Sequence, residues 1–347
     1  VAMPEPAAVE IVQTFQDRML RREARAAAEM VRLYGPIWRE MQGELTVLLN
    51  QIEGQQLSFA QVKRLERYNA LIAQVERQVS VYAEAAGSII TQAQRDAVGL
   101  SELVVRRTVD ARLPLGISTD TLAAVGLEWN TLPTGALEAF AGISGDGAPL
   151  SNLLAPLGPE TAQGVTQGIS EGIALGRSPR RTAVIIRDRV GMGLTRSLRI
   201  SRTETLRAYR ESTRALYRAN SDVVTGYRRV AHLDSLTCFA CIALDGKLYA
   251  TSTRIDVHVN DRCAMVPETV TYADLGLDVP EDDRRRELGP EWFKRQPVGT
   301  QRQMLGTKGF TAWQDGQFEI EDMAKITHSP VWGDSAVQKP LKELVKP

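Results

Sequence analysis

Residues 230–267 read VAHLDSLTCFACIALDGKLYATSTRIDVHVNDRCAMVP. All three cysteines of the chain lie here, as Cys238, Cys241 and Cys263, and so do two of its three histidines, His232 and His258. Cys238-x2-Cys241 is a knuckle spacing, in which two thiolates on one tight turn reach one ion. His258 and Cys263 could close a tetrahedral Cys3His site. Four protein ligands leave no open position for water, so zinc there would be structural. Two plainer readings stand beside it: a small core of buried thiols with a packing histidine, and a single disulfide in an oxidising setting. The flanks fit a small β unit. Tyr227–Leu233 and Lys247–Ala250 read as strands, with Asp245-Gly246 as a hairpin turn.

Toward the N-terminus the pattern turns helical. Over residues 6–53, Val12, Phe15, Met19, Ala26, Met30, Leu33, Ile37, Met41, Leu48 and Ile52 recur mostly at steps of three and four. Gly35-Pro36 predicts a kink or a break, because proline loses a hydrogen bond and clashes with the preceding turn. Gly54 is expected to stop this helix. Ser58-x-x-Gln61 is a capping box. The stripe after it, Leu65, Tyr68, Ile72, Val75, Val79, Tyr82, Ala86, Ile89 and Ala93, alternates threes and fours as a coiled-coil seam does. A helix from Phe59 to Val109 would span about 75 Å. Its expected partner is the first helix, folded back as a long hairpin; the alternative is the same helix in another subunit.

Residues 113–176 are rich in Gly and Pro and predict short helices: Thr119–Trp129, Gly135–Phe140 and Pro159–Ile173. From Arg177 the chain turns basic. Ser201-Arg-Thr-Glu204 reads as a second capping box, opening a helix that carries Arg207, Arg210, Arg214 and Arg218. Those steps put four guanidiniums on one face, in a row about 16 Å long. Such a row suits phosphate backbone or acidic groups of a partner; the plainer readings are a solvated face or pairing within the chain. Beyond the Cys/His stretch lie a charged loop, 281–287, short helices at Pro290–Arg295, Gly299–Leu305, Gly309–Asp315 and Glu319–Thr327, and a tail from Ser329 expected to be extended and docked, or disordered.

Bulk properties narrow the class. Lys+Arg and Asp+Glu both number 42 in 347 residues, which argues against a generally basic nucleic-acid coat. Three cysteines favour a reducing site of synthesis over a disulfide framework. The opening VAMPEPAAVE has neither the charged start nor the apolar run of a signal peptide, and no stretch approaches 18 apolar residues, so no membrane association is expected. The expected fold is mainly α: a long N-terminal helical hairpin (1–112), a helical body with the Arg-rich helix (113–222), a small β/zinc-knuckle-like unit (223–270), and short C-terminal helices with a tail (271–347).

The chain resembles the Mu F-like (head morphogenesis) family of tailed-bacteriophage minor head proteins. RISRTETLRAYRESTRALYRAN is similar to that family's Ala-Arg-Thr-Glu helix. DSLTCFACIALDGKLY is similar to its Thr-Cys-x-x-Cys and Leu-Asp-Gly segment, and HVNDRCAMVP to its His-Pro-Asn-Cys-Arg-Cys followed by Val-Pro. Gln301 to Gly306 matches a Gln-x-x-x-Leu-Gly ending. The resemblance covers roughly residues 115–325. Two departures stand out: Val259 replaces the proline after the histidine, and Asp261 replaces the first Cys of the Cys-Arg-Cys pair, which makes Asp261 a candidate oxygen ligand beside Cys238, Cys241, His258 and Cys263. The resemblance implies a structural, non-enzymatic protein of the virion, assembled in the host cytoplasm and present in several copies at the portal vertex inside the capsid. Its implied partners are the portal protein, capsid or scaffolding proteins, and packaged DNA. Its roles would be head assembly, DNA packaging or ejection.

Rival readings carry less. An HNH-like nuclease would use His258 as general base with Asn260 or His232, but the ββα spacing is not evident. ADP-ribosyl transfer would rest on Thr251-Ser252-Thr253 and Glu319-x-Glu321, two common tripeptides. A non-viral zinc-stabilised nucleic-acid-binding protein is opposed by the neutral net charge.

Overall fold

The computed structural model describes residues 6–114, 116–278, 286–329 and 333–345. The charged loop expected at 281–287 lies outside these residues except for Arg286 and Glu287. The chain is mainly helical, with 63% helix and 9% strand. Its helices are α1 (Pro6–Gln55), α2 (Phe59–Val62), α3 (Glu66–Asp110), α4 (Thr134–Glu138), α5 (Ser151–Leu154), α6 (Leu157–Ala174) and α7 (Pro179–Ala219). Then come β1 (Val224–Val230), α8 (Phe239–Ala243), β2 (Leu248–Tyr249), β3 (Ala264–Thr269), α9 (Gly289–Lys294), α10 (Val298–Gln314), β4 (Ala324–Ser329), β5 (Gly333–Gln338) and α11 (Leu341–Leu344). Among the described residues no helix is long and apolar enough to cross a membrane.

Compactness divides the chain in another way than into consecutive segments. One unit holds residues 1–20, 95–140 and 206–347; the other holds 21–94 and 141–205. The long helices α1, α3 and α7 each contribute residues to both.

In the second unit α1 and α3 run antiparallel. Arg67 pairs with Glu44 at 3.4 Å, and the Tyr34 and Tyr82 rings meet edge to face at 4.7 Å. The Tyr34 hydroxyl donates to the Val190 carbonyl at 2.7 Å, and the Tyr82 hydroxyl lies 2.6 Å from that of Ser197, so α7 joins the pair. The stripe on α3 buries Tyr68, Val75, Val79, Tyr82, Ala86 and Ala93, whereas Ile72 and Ile89 are half-buried and Leu71 and Ile90 take their places inside. Packing on two neighbours widens the seam from a coiled-coil line to a broader face. Helix α6 approaches closely through glycine: a Cβ on Gly158 would stand 2.8 Å from the Glu76 carbonyl.

Several expectations are corrected. Helix α1 passes through Pro36 unbroken. Gly35 and Pro36 face solvent while Tyr34 and Ile37 are buried, so the carbonyl that loses its partner is on the wet side. The helix also runs one residue past Gly54 and ends at Gln55, with Gln56 in the left-handed region at φ 52°. The Ser58–Gln61 capping box forms in full, but it caps only the single turn α2, and the long helix starts afresh at Glu66. Ser201-Arg-Thr-Glu204 is no capping box. It lies inside α7, with Ser201 and Glu204 buried, because the helix already begins at Pro179. The segment expected as helix Glu319–Thr327 is a 3-10 turn at Ile320–Met323 followed by β4, and β4 pairs antiparallel with β5. The expected tail is therefore a hairpin and a final helical turn.

In the first unit β1 is the middle strand of an antiparallel sheet ordered β2-β1-β3. Tyr227 stands opposite Tyr249 on one side and Pro267 on the other. Proline is tolerated on β3 because β3 is an edge strand. Strand β1 begins three residues earlier than expected, β3 was not expected, and Asp245-Gly246 ends α8 and leads into β2 in place of a tight hairpin. Two apolar cores cover the sheet. One gathers Val12, Phe15 and Met19 with Val104, Leu206 and Val266; the other gathers Val105, Leu216, Tyr217, Tyr227 and Met265.

Candidate metal centre

The knuckle is built from four short pieces of the first unit. Cys238 precedes α8 in extended backbone (φ −73°, ψ 155°), and Cys241 follows one helical turn later on the same face. Phe239 and Ile242 point away, into a core with Phe293, Phe318 and Ile320, which anchors α8. His258 and Asp261 sit in the loop before β3, and a left-handed Asn260 (φ 66°) turns the chain between them. Ala336 of β5 donates its N–H to the Val257 carbonyl at 2.8 Å, tying that loop down. Cys263 closes the loop at the edge of β3.

The donor atoms converge. His258 Nε2 lies 3.2 Å from Cys238 Sγ and 3.1 Å from Cys241 Sγ. The other ring nitrogen, Nδ1, is 2.7 Å from the Val259 carbonyl, which fixes the ring. Edges of a zinc tetrahedron with sulfur and nitrogen ligands are about 3.5–3.8 Å, from bond lengths of about 2.0–2.3 Å. The imidazole nitrogen stands a little inside that separation from both sulfurs, and the three donor atoms lie within 4.8 Å of one another. Cys241, Asp261 and Cys263 form a second close group that shares Cys241 with the first. Cys238, Cys241, His258, Asp261 and Cys263 thus lie together and could hold a metal ion, and a donor set of thiols and imidazole suits zinc.

Two arginines complete the site. Arg229 of β1, fully buried, extends Nη2 to 2.6 Å from Asp261 Oδ2 and to 3.2 Å from both Cys241 Sγ and Cys263 Sγ. Arg210 of α7 donates Nη2 to Asp261 Oδ1 at 3.1 Å and to the Asp261 and Cys263 carbonyls at 2.7 and 3.0 Å. Asp261 Oδ1 also accepts the Cys263 N–H at 2.6 Å. Burial alone would raise the Asp261 carboxyl, but Arg229, Arg210 and His258 outweigh it and hold it well below the usual carboxylate range. Burial would likewise lower His258, yet its contacts with Cys241 and Asp261 raise it to about 9. The hydrogen bond from Cys241 brings Cys238 down to about 7, while the same bond raises Cys241. Cys263 is raised by its hydrogen bond with Cys241 and by burial.

The arginine row looks different from its sequence. Arg210 is buried and serves the knuckle, and Arg214 pairs with Glu211 at 2.6 Å. Arg207 is half-buried, and Arg218 alone of the four is exposed. Helical spacing places four residues on one face, but the packing of α7 buries Arg210 against the Asp261 loop and leaves Arg218 at the surface.

Arg229 gave no sequence signal as part of the site, and Asp245 read only as a turn residue within the Leu-Asp-Gly segment. The Asp245 carboxylate accepts the Ala231 N–H at 2.7 Å, the Gly289 N–H at 2.8 Å and a bond from Arg286, so it clips β1 and α9 to the end of α8. Gly289 fits there for lack of a side chain, since a Cβ would collide with the Ile242 carbonyl. Gly289→Ala is expected to cost about 1–3 kcal/mol, as overpacking against backbone does; urea unfolding of the full chain measures it.

Comparisons with protein-family models, with curated proteins and with solved structures returned no match to this chain.

Proposed function

We propose that the chain is a structural minor head protein of a tailed bacteriophage, associated with the portal on the inner side of the head. One observation carries the reading. The segments that bear the resemblance are joined to one another in space: Arg210, from the helix similar to the family's Ala-Arg-Thr-Glu helix, is bonded to Asp261 and Cys263 of HVNDRCAMVP. Asp245 of the Leu-Asp-Gly segment is bonded to both ends of the knuckle's surroundings, at Ala231 and Gly289. A set of short motifs that interlock in this way has the character of a folding unit, which is what an assembly protein needs to present a fixed surface. The knuckle would hold one structural Zn2+ through Cys238, Cys241, His258 and Cys263, and zinc there would fasten the loop before β3 to α8. Capsid or scaffolding proteins and packaged DNA are the further partners of this reading.

Two measurements test it. Co-expressed with the portal protein encoded in the same genome, the chain is expected to co-purify with it and to enter proheads; a chain absent from both is not a head protein. Elemental analysis of the purified chain is expected to find about one zinc per chain, lost together with cooperative unfolding in a Cys238→Ser/Cys241→Ser variant. A folded chain without zinc would leave the knuckle as a thiol core.

A further inference from the structure

We infer that Arg229 is the fixed counter-cation of the cysteine cluster, and that Asp261 holds Arg229 in place and is not itself a metal ligand; the inference rests on the zinc reading above. The geometry separates the two groups. Asp261 has both oxygens engaged: Oδ1 with the Cys263 N–H and Arg210, Oδ2 with Arg229. Its Oδ2 stands 3.9 Å from Cys241 Sγ and 3.9 Å from His258 Nε2, but 2.6 Å from the Arg229 guanidinium. To ligate, it would have to leave a guanidinium that has no exposure to water.

Charge explains why the guanidinium is there. A zinc ion with three thiolates and a neutral imidazole is a monoanion. Burying a net charge is costly unless it is compensated nearby. Arg229 and Arg210 bring two positive charges and Asp261 one negative, so the buried set as a whole is neutral. The cation also sits where it acts most directly, since one nitrogen donates toward the sulfurs of both Cys241 and Cys263. The other two nitrogens of Arg229 are buried without a hydrogen-bond partner among the described residues. A guanidinium kept inside on those terms is explained by the charge it faces, not by packing alone. Hydrogen bonds from outside the ligand set tune a metal through its thiolates, and loss of such partners commonly lowers affinity about 10–100-fold.

The test uses the full chain, zinc titrated against a chromophoric chelator, and Co2+ as a spectroscopic probe. Arg229→Met is expected to weaken zinc binding about 10–100-fold. It should also move the sulfur-to-cobalt absorption to longer wavelength, because a thiolate that loses an N–H donor is easier to oxidise. Arg229→Lys is expected to recover part of the affinity, since it keeps the charge but cannot span both sulfurs and the carboxylate. If Arg229→Met does not fold, Arg229→Lys decides, with weaker zinc binding than the natural chain as the expected result. Zinc affinity and cobalt spectrum unchanged in the folded variant, or tighter zinc binding, overturns the inference while leaving the zinc reading intact. No metal uptake by the natural chain overturns both.

Discussion

Asparagine in place of Asp261 is expected to lower the unfolding free energy by about 3–5 kcal/mol, the usual consequence of removing one partner from a buried ion pair. The side chain of Asp261 is fully buried, as is that of Arg229, and Arg210 is nearly so. The amide keeps the size and some hydrogen bonds of the carboxylate, but it leaves two buried guanidiniums without their shared anion. Denaturant unfolding of both chains, at equal zinc, gives the difference. The pH dependence follows from the direction of the shift. The folded carboxyl titrates below its unfolded value of about 3.9. Its contribution is therefore fully present above that value and is lost as pH falls through the folded one. Asp261→Asn should thus narrow its gap to the natural chain as the solution is acidified. A gap that widens in acid, or a variant as stable as the natural chain at neutral pH, contradicts this account.

Glu268→Gln should cost nearly as much, about 3 kcal/mol, at a second buried ion-pair cluster five residues beyond Cys263. Glu268, on β3, receives Arg228 Nε of β1 at 2.5 Å on one oxygen and Arg112 Nη2 at 3.0 Å on the other, just beyond the end of α3. Arg228 also donates to the Gly246 carbonyl at 3.0 Å. One carboxylate therefore joins the sheet, the end of the long helix and the turn after α8. Its three side chains are about a tenth exposed or less, so solvent screens the pairs weakly. Hydrogen exchange offers a local readout: the β1–β3 amides should lose protection in the variant before those of α6. Unchanged protection of β1 and β3 would mean that apolar packing around Tyr227 and Met265 alone holds the sheet.

The parts of the fold legible in sequence were those with local causes. Ser58 and Gln61 form their capping box because both groups lie within one turn. Most of the α3 stripe is buried because period largely decides which face of a helix is apolar, although Leu71 and Ile90 replace Ile72 and Ile89 inside. Cys238 and Cys241 share a face because they are three residues apart at the start of a helix. Long-range context decided the rest. Pro36 predicted a break, yet Tyr34 and Ile37 hold the helix on its buried side while water solvates the other. Ser201 looked like a cap only because a start signal reads the same in the middle of a helix. Residues 324–329 took a strand conformation because β5 was there to pair with them, a partner that local propensity cannot foresee.

The candidate site divides along the same line. The residue types of the cluster and their spacing were determined by the sequence: three cysteines and one histidine, with Asp261 among them, in one short stretch. Only the tertiary structure decided which charges surround them. Arg228 and Arg229 are adjacent in sequence, but strand alternation sends one to Glu268 and the other to the cysteines. Arg210 read as one of a row suited to phosphate, to an acidic partner, to solvent or to pairing within the chain, and the packing of α7 set it on Asp261. An arginine's partner is set by what faces it across the fold, and one chain's spacing does not contain that.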